Sequence, residues 1–294
     1  MGYSTIDPEQ LMRWMRIPSD ELAAHPQARL RLRVLESAQA VIEDFARAVF
    51  EEIAANEAHG RPTRLIVPCG PKEPWPLLAR WVNERRLSLR RVHMFHMDEH
   101  LDWQGRPLPL DSPFSFEGWW RRHFYDRIDP ELNVPEGQRH FPTPYDLDGM
   151  ARAIEAVGGI DTAYGGIGFH GHLAYNEPPL WPWLAVTAEA FRRSTTRVVF
   201  LNPDTLVAMA QREAGGALAL VPPMAITLGM REILGARRIR LYSTTGPWKQ
   251  TALRVALFGP VTVEYPVTFC QEHPDCVLTV DRATARSPFE DEPA

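Results

Sequence analysis

Apolar positions along this 294-residue chain follow two different periods. Short apolar runs bounded by glycine or proline are typical of buried strands, whereas apolar residues that recur every three or four positions are typical of amphipathic helices. The two kinds of segment alternate over most of the chain. Strands are predicted over residues 64–67, 91–100, 160–164, near 184–187, 238–243 and 276–280.

Helices are predicted between these strands. From Leu30 to Ile53 the apolar residues recur at helical spacing, which predicts one long amphipathic helix. Asn202 is a suitable N-cap for a helix that begins at Pro203. The remaining helices are expected over residues 74–81, 116–125, 147–157, 203–213, 224–234 and 247–258, with a short helix or loop before residue 28.

This alternation predicts an α/β fold with a mainly parallel sheet covered by helices on both faces. Ligands of such sheets bind at the carboxyl ends of the strands, so the chemistry is expected at the junctions 67–74, 97–100, 164–172 and 243–249. We expect a single domain over residues 1–294. A helical extension is expected over about 1–58 and a loose tail over about 286–294.

Composition narrows the functional classes. A net charge of −5 gives no electrostatic footprint for nucleic acid. Three cysteines without Cys-x-x-Cys spacing argue against a disulfide framework and a zinc ribbon. The longest apolar run, residues 217–230, contains two prolines and is too short to span a bilayer, and the N-terminus has no apolar signal core. We therefore expect a cytoplasmic protein with a small-molecule partner and no nucleic-acid or membrane partner.

The stretch from Tyr164 to Pro179 is rich in glycine and carries ionisable groups. Its glycines allow tight turns and close approach of the backbone to a ligand. His170 and His172 bring acid–base or metal-ligand chemistry to this turn, and Glu177 follows them. A surface loop with incidental polar residues is the alternative interpretation.

Two other junctions carry charged groups. Strand alternation would place His96, Asp98 and His100 on one face, with Asp98 as a candidate general base at the strand end; a solvated or capping carboxylate is the alternative. The run Thr244-Thr-Gly246 followed by Lys249 is typical of an anion cradle, and an ordinary capped helix with a solvated lysine is the alternative.

These motifs together resemble the glucosamine-6-phosphate deaminase family. They are Asp98-Glu99 after a strand, Gly-Gly-Ile-Gly-x-x-Gly-His-Leu-Ala-Tyr-Asn-Glu-Pro over residues 165–178, the run Ala225-Ile-Thr-Leu-Gly229, and the segment around Lys249. The resemblance covers roughly residues 60–282 in order. It implies a three-layer, Rossmann-like sandwich related to the 6-phosphogluconolactonases.

The resemblance also implies roles for individual residues. Asp98 would move a proton between C2 and C1 of the opened sugar, His172 would assist ring opening, and Glu177 would position His172. Lys249 and, by its distance to Ala225, Arg212 would hold the substrate phosphate, and no cofactor would be needed. Further candidates are Glu99 and His170 for catalysis, and Gly70, Lys72, Gly166, Gly168 and Gly171 for substrate and phosphate binding.

Three positions depart from the family pattern. His170 stands where the family has an aspartate coupled to its ring-opening histidine. The loop Cys69-Gly-Pro-Lys-Glu-Pro74 replaces a hydroxyl-rich phosphate loop of the form Thr-Gly-Gly-Thr-Pro, and Pro71 removes an N–H donor. His100 replaces the usual tyrosine after Asp98-Glu99.

The departures keep three alternatives open. The first is a metal site for Zn, Mn or Fe formed by His96, Asp98, His100, His170 and His172, since imidazoles and a carboxylate are suitable ligands. The second is a sugar lactonase or hydrolase, with or without a metal. The third is a sugar-phosphate-binding protein that has lost catalysis. A homo-oligomeric state is left open.

Overall fold

Seven parallel strands form the central sheet in a computed structural model that describes residues 4–179 and 186–289. Their spatial order is β1-β10-β9-β6-β2-β3-β5, and every neighbouring pair is parallel. These strands are β1 (Arg31–Leu35), β2 (Thr63–Val67), β3 (Val92–His96), β5 (Arg139–His140), β6 (Thr162–Gly165), β9 (Arg238–Ser243) and β10 (Cys276–Asp281).

A second sheet of three antiparallel strands lies beside the carboxyl end of β3. Its order is β4-β8-β7, with β4 (Asp98–Leu101), β7 (Arg197–Phe200) and β8 (Met224–Thr227). Asp98, the first residue of β4, pairs with Thr227. This small sheet fixes the position of Asp98 relative to the main sheet.

Helices cover both faces of the main sheet. Along β2, Leu65 and Val67 pack into the apolar cluster that contains residues of α2 and α3, while Ile66 packs into the cluster that contains residues of α9. This confirms the predicted three-layer α/β fold. The helices are α1 (Pro8–Met15), α2 (Ala38–Ala58), α3 (Pro74–Glu84), α4 (Phe116–His123), α5 (Gly149–Ala156), α6 (Ala188–Arg192), α7 (Pro203–Glu213), α8 (Met230–Leu234), α9 (Gln250–Phe258) and α10 (Arg282–Ala285).

The long helix predicted over residues 30–53 is wrong at its N-terminal end. Residues 31–35 form β1, which pairs with β10 along its whole length. Ser37 then starts α2, because its hydroxyl accepts a hydrogen bond from the Ala40 N–H at 3.2 Å. The segment 1–58 is therefore more than a helical extension, since β1 forms an edge of the main sheet.

The strand predicted over residues 91–100 is two strands in different sheets. The chain leaves the main sheet at Met97, whose N–H donates to the Val67 carbonyl oxygen at 3.0 Å, and continues as β4. The alternation that would place His96, Asp98 and His100 on one face is broken at this point. The three side chains consequently have different surroundings.

Two later predictions also need correction. The helix expected over 224–234 is β8 followed by α8. The Gly229 N–H donates to the Glu232 carboxylate, and this contact fixes the start of the helix after Gly229. Asn202 precedes α7 as expected, but its side chain donates to the Pro178 carbonyl oxygen rather than capping the helix. β7 was not predicted at all.

Two predicted segments fall largely outside the described residues. Of the strand expected near 184–187, residues 184 and 185 are not described, and residues 186 and 187 have no regular structure. Residues 290–294 of the expected tail are not described either, while Ser287 is buried. Within the described parts of the chain, no helix combines the length and apolarity needed to cross a membrane.

Candidate active site

The carboxyl ends of β2, β6 and β9 open into one cleft of about 400 Å³. Asp98 and residues of α7 complete its walls. This is the edge of the sheet where ligands are expected in parallel α/β folds. Eight of the predicted site residues line the cleft, namely Gly70, Lys72, Asp98, Gly166, Gly168, His172, Arg212 and Lys249.

Asp98 is the buried carboxylate of the cleft. The residue is 8% exposed, and no hydrogen bond to its carboxylate is found within the described chain. Burial, with a smaller contribution from the Glu99 carboxylate, raises the pKa of Asp98 to about 8. A carboxyl group whose pKa lies near the working pH is suited to taking up and returning a proton.

Glu99 has a structural environment, and the structure does not support a catalytic role for it. Its carboxylate accepts hydrogen bonds from the N–H groups of His100, Phe116 and Glu117 at 2.6–2.8 Å. Two of these donors are the first residues of α4, so Glu99 accepts hydrogen bonds from the free N–H groups at the N-terminus of that helix. Glu99 does not line the cleft.

His172 and Glu177 form a pair at one wall of the cleft. The Nδ1 atom of His172 lies 3.5 Å from Oε1 of Glu177. Burial, followed by repulsion from the Lys249 ammonium, lowers the pKa of His172 to about 3. The imidazole is consequently neutral at physiological pH and is able both to accept and to donate a proton.

Glu177 is in turn held by α7 and the residue before it. The Thr205 hydroxyl donates to Oε1, and the Asn202 N–H donates to Oε2 at 2.6 Å. Burial raises the pKa of Glu177 to about 7, and these two hydrogen bonds oppose that shift. Glu177 does not line the cleft itself, so it acts on the cleft through His172.

Glycine is required at two positions of the loop after β6. A Cβ atom at Gly168 would lie 1.8 Å from Nε2 of His172, so a side chain there would displace the imidazole. Gly171 has a φ of +65°, and a Cβ atom there would lie 2.6 Å from Val267. Gly171 therefore shapes the loop without lining the cleft.

Cationic groups also line the cleft. Lys249 is 7% exposed, and no carboxylate of the described residues lies within ion-pair distance of its ammonium. Burial, followed by repulsion from Arg212, lowers the pKa of Lys249 to about 7, and the Asp204 carboxylate opposes this shift. Lys249 and Arg212 are thus suited to an anionic ligand.

Comparison with known proteins identifies the family of the chain. The glucosamine-6-phosphate deaminase of Cronobacter sakazakii is 32% identical over 260 residues, which cover 86% of this chain and 90% of that protein. That of Caenorhabditis elegans is 30% identical over 249 residues, which cover 83% and 86%. The chain belongs to the glucosamine-6-phosphate deaminase family. No family model matches the chain.

Solved structures support the fold of this glucosamine-6-phosphate deaminase family member. A monomeric glucosamine-6-phosphate deaminase has a TM-score of 0.73 at 23% identity, covering 87% of this chain and 99% of that one. The 6-phosphogluconolactonase from Trypanosoma cruzi has a TM-score of 0.62 at 20% identity, covering 87% and 96%. At these identities the likeness concerns the fold alone.

His170 pairs with a carboxylate of α7. Its Nδ1 atom lies 2.7 Å from Oδ2 of Asp204, the second residue of α7. Although burial opposes it, this hydrogen bond lowers the pKa of Asp204. His170 does not line the cleft, so the structure places it beside the site rather than at the reacting atoms.

The remaining histidines do not converge with Asp98. His96 donates to or accepts from the Tyr125 hydroxyl at 2.8 Å and stacks on Phe141 at 3.8 Å. His100 is buried between the Phe114 carbonyl oxygen and the Tyr175 hydroxyl, each at 2.7 Å from the ring. Within residues 4–179 and 186–289, no group of three potential ligands is close enough to hold a metal ion. The described structure therefore does not bring these histidines and Asp98 together as one set of metal ligands.

The loop after β2 carries Lys72, whose ammonium already has a carboxylate partner. Lys72 forms an ion pair with Glu213, at the end of α7, with 2.8 Å between Nζ and Oε2. Gly70 packs closely against the loop after β6, because a Cβ atom at Gly166 would lie 3.3 Å from the Gly70 carbonyl oxygen. These contacts join the loop after β2 to α7 and to the loop after β6.

Sequence reasoning missed several polar residues of the site. Thr205 and Asp204 follow the correctly predicted start of α7, but their partners are about 30 residues away in sequence, and no local pattern signals such pairs. Ser243 directly precedes the predicted anion cradle, to which Thr245 belongs, and both residues line the cleft. Their hydroxyl groups at a strand end next to Lys249 were the available signal.

Proposed function

We propose that this protein is a glucosamine-6-phosphate deaminase, which converts glucosamine 6-phosphate and water into fructose 6-phosphate and ammonia. The observation that carries the proposal is the position of one buried, unpaired carboxylate, Asp98, in the same cleft as a neutral imidazole held by a carboxylate. Lys249, which has no carboxylate within ion-pair distance in the described chain, also lines the cleft. Membership of the family supports the same assignment.

His172 opens the sugar ring in this proposal. The neutral imidazole accepts the proton of the C1 hydroxyl and returns a proton to the ring oxygen as the C1–O5 bond breaks. Glu177 lies beside Nδ1 and stabilises the transient imidazolium. The product is an open-chain 2-amino aldehyde bound in the cleft.

Asp98 then moves the proton that makes the ketose. Its carboxylate removes the proton from C2, which gives an enolamine, and its carboxyl group delivers a proton to C1. The resulting imine at C2 is hydrolysed by water to the ketone and ammonia. Because these steps are proton transfers and a hydrolysis, we propose that the reaction needs no cofactor.

The charge distribution of the cleft fits this substrate. The phosphate dianion matches Lys249 and Arg212, and the substrate ammonium matches the Asp98 carboxylate. A cation next to Asp98 lowers the proton affinity of that carboxylate and favours its basic form. Substrate binding itself therefore assists formation of the base.

Product analysis tests the proposal. Purified protein is incubated without added metal with glucosamine 6-phosphate and, separately, with 6-phosphogluconolactone. We expect ammonia and fructose 6-phosphate in equal amounts from the first, and acid release at the uncatalysed rate from the second. Acid release from the lactone without any ketose from the amino sugar would instead identify a lactonase.

A further inference from the structure

We propose that the loop after β9 is the main phosphate cradle of this enzyme, and that the hydroxyl groups of Ser243 and Thr245 donate hydrogen bonds to the phosphoryl oxygens. Lys249 supplies the charge. The inference rests on the proposed function, because it assigns the phosphate of that substrate to specific donors. It gives this chain a replacement for the hydroxyl-rich loop that it lacks after β2.

The two hydroxyl groups are buried and have no partner. Neither Ser243 Oγ nor Thr245 Oγ1 has a hydrogen-bond partner within the described chain, although both atoms are inaccessible. Ser243 is 5% exposed, and both residues line the cleft. Buried hydroxyl groups in proteins are nearly always hydrogen-bonded, so a pair of unpartnered ones in a cleft indicates donors prepared for a ligand.

Lys249 makes that ligand an anion. It lines the same cleft, and no carboxylate of the described chain lies within ion-pair distance of its ammonium. Arg212 adds a second positive charge from α7. Neutral hydroxyl donors beside two cations recognise a phosphoryl group by hydrogen bonds as well as by charge.

The loop after β2 is poorly equipped for the same task. Pro71 and Pro74 have no N–H to donate. Lys72 is engaged with Glu213, and Glu73 would repel a dianion. Among the main-chain donors of the other loop, the Gly246 N–H is already bound to the Thr284 hydroxyl at 2.9 Å. The hydroxyl groups of residues 243 and 245 remain available as donors for the phosphate.

The test uses full-length variants Ser243→Ala, Thr245→Val and Thr245→Ser, with inorganic phosphate as the probe. Phosphate-dependent increases in Tm give the dissociation constant without reference to turnover. Loss of a hydrogen bond to a charged group predicts about 10-fold weaker phosphate binding for S243A and for T245V. T245S keeps the hydroxyl group and should bind phosphate nearly as well as the wild type. KM for glucosamine 6-phosphate should rise in parallel, with little change in kcat.

Thr196→Val is the matched control. Its Oγ1 is also buried without a partner in the described chain, but Thr196 lies outside the cleft. Removing an unpaired buried hydroxyl should raise, or at least not lower, the Tm of the free protein in T196V, S243A and T245V alike. Only the last two should lose phosphate affinity.

The outcomes separate this inference from the proposed function. Wild-type phosphate affinity in S243A and T245V would overturn the cradle, whether or not the protein deaminates glucosamine 6-phosphate. Hydroxyl-dependent phosphate binding by a protein that releases no ammonia would retain the cradle and overturn the proposed reaction.

Discussion

Two sets of groups line or support the cleft and differ in how their polar atoms are satisfied: the acid–base end, which comprises Asp98, His172 and Glu177, and the anion end, which comprises Ser243, Thr245, Arg212 and Lys249. At the acid–base end, His172 lies against Glu177, and Glu177 is held by Thr205 and Asn202. At the anion end, the hydroxyl groups of Ser243 and Thr245 have no hydrogen-bond partner in the described chain, and no carboxylate there lies within ion-pair distance of the Lys249 ammonium. The protein thus orients its acid–base pair by itself and leaves the anion end to be completed by the ligand.

Burial has opposite consequences at the two ends. It raises the pKa of the carboxyl groups of Asp98 and Glu177 to about 8 and about 7. It lowers the pKa of Lys249 to about 7. Desolvation disfavours the charged form of every ionisable group. The same physical cause therefore brings the pKa values of all three groups close to 7.

The largest expected effect is loss of the base. Asp98→Asn keeps the shape of the side chain but cannot accept the C2 proton, so kcat should fall about 1,000-fold, within the range of general acid–base contributions. Stopped ammonia assays with glucosamine 6-phosphate measure this. The exposed Asp126→Asn is the control and should keep wild-type kcat. Phosphate-induced stabilisation should be unchanged in D98N, and its loss there would mean that the two ends are not separable.

A smaller effect is expected when the support of the acid–base pair is removed. Thr205→Val deletes the hydroxyl group that stabilises the Glu177 carboxylate, so the pKa of Glu177 should rise above about 7. At pH 7 we expect kcat to fall about 10-fold, and activity to recover as the pH is raised. Thr205→Ser should restore the wild-type pH dependence of kcat. A uniform loss at all pH values would indicate a packing defect instead.

The pH dependence of kcat/KM compares the two ends directly. Asp98 must be ionised and Lys249 protonated, so activity should rise with pH to about 7, stay level to about 8 and then decline. Lys249→Arg stays charged at every accessible pH. This variant should lose the decline above pH 8 and keep the rise below it, even if its kcat/KM is lower. A persistent alkaline decline in K249R would show that Lys249 does not cause it.

The smallest expected effect concerns the carboxylate that pairs with His170. Asp204 favours the protonated form of Lys249, so Asp204→Asn should lower the pKa of Lys249 further below about 7. At pH 7.5, removal of one nearby charge should raise KM about three-fold and leave kcat nearly unchanged, because a partly exposed charge contributes modestly. A decrease in kcat larger than the increase in KM would assign Asp204 to the acid–base end.

The sequence was informative where the chemistry lies next to a strand end. The strand at 63–67, the glycine loop with His172 and the strand before Lys249 each gave local signals, and the fold class followed from their alternation. Contacts between residues that are distant in the sequence left no such local signal. β1 was hidden because its apolar residues continue the helical spacing of α2, and the partners of Glu99 and His170 come from α4 and α7.

Turnover of glucosamine compared with glucosamine 6-phosphate by the wild-type protein tests the two-ended cleft most directly. The acid–base groups are identical for both sugars, and only the anion end distinguishes them. With several charge-assisted hydrogen bonds lost, kcat/KM for glucosamine should be lower by about 1,000-fold or more. Comparable kcat/KM values for the two sugars would contradict the account, because the cationic end would then contribute nothing to substrate recognition.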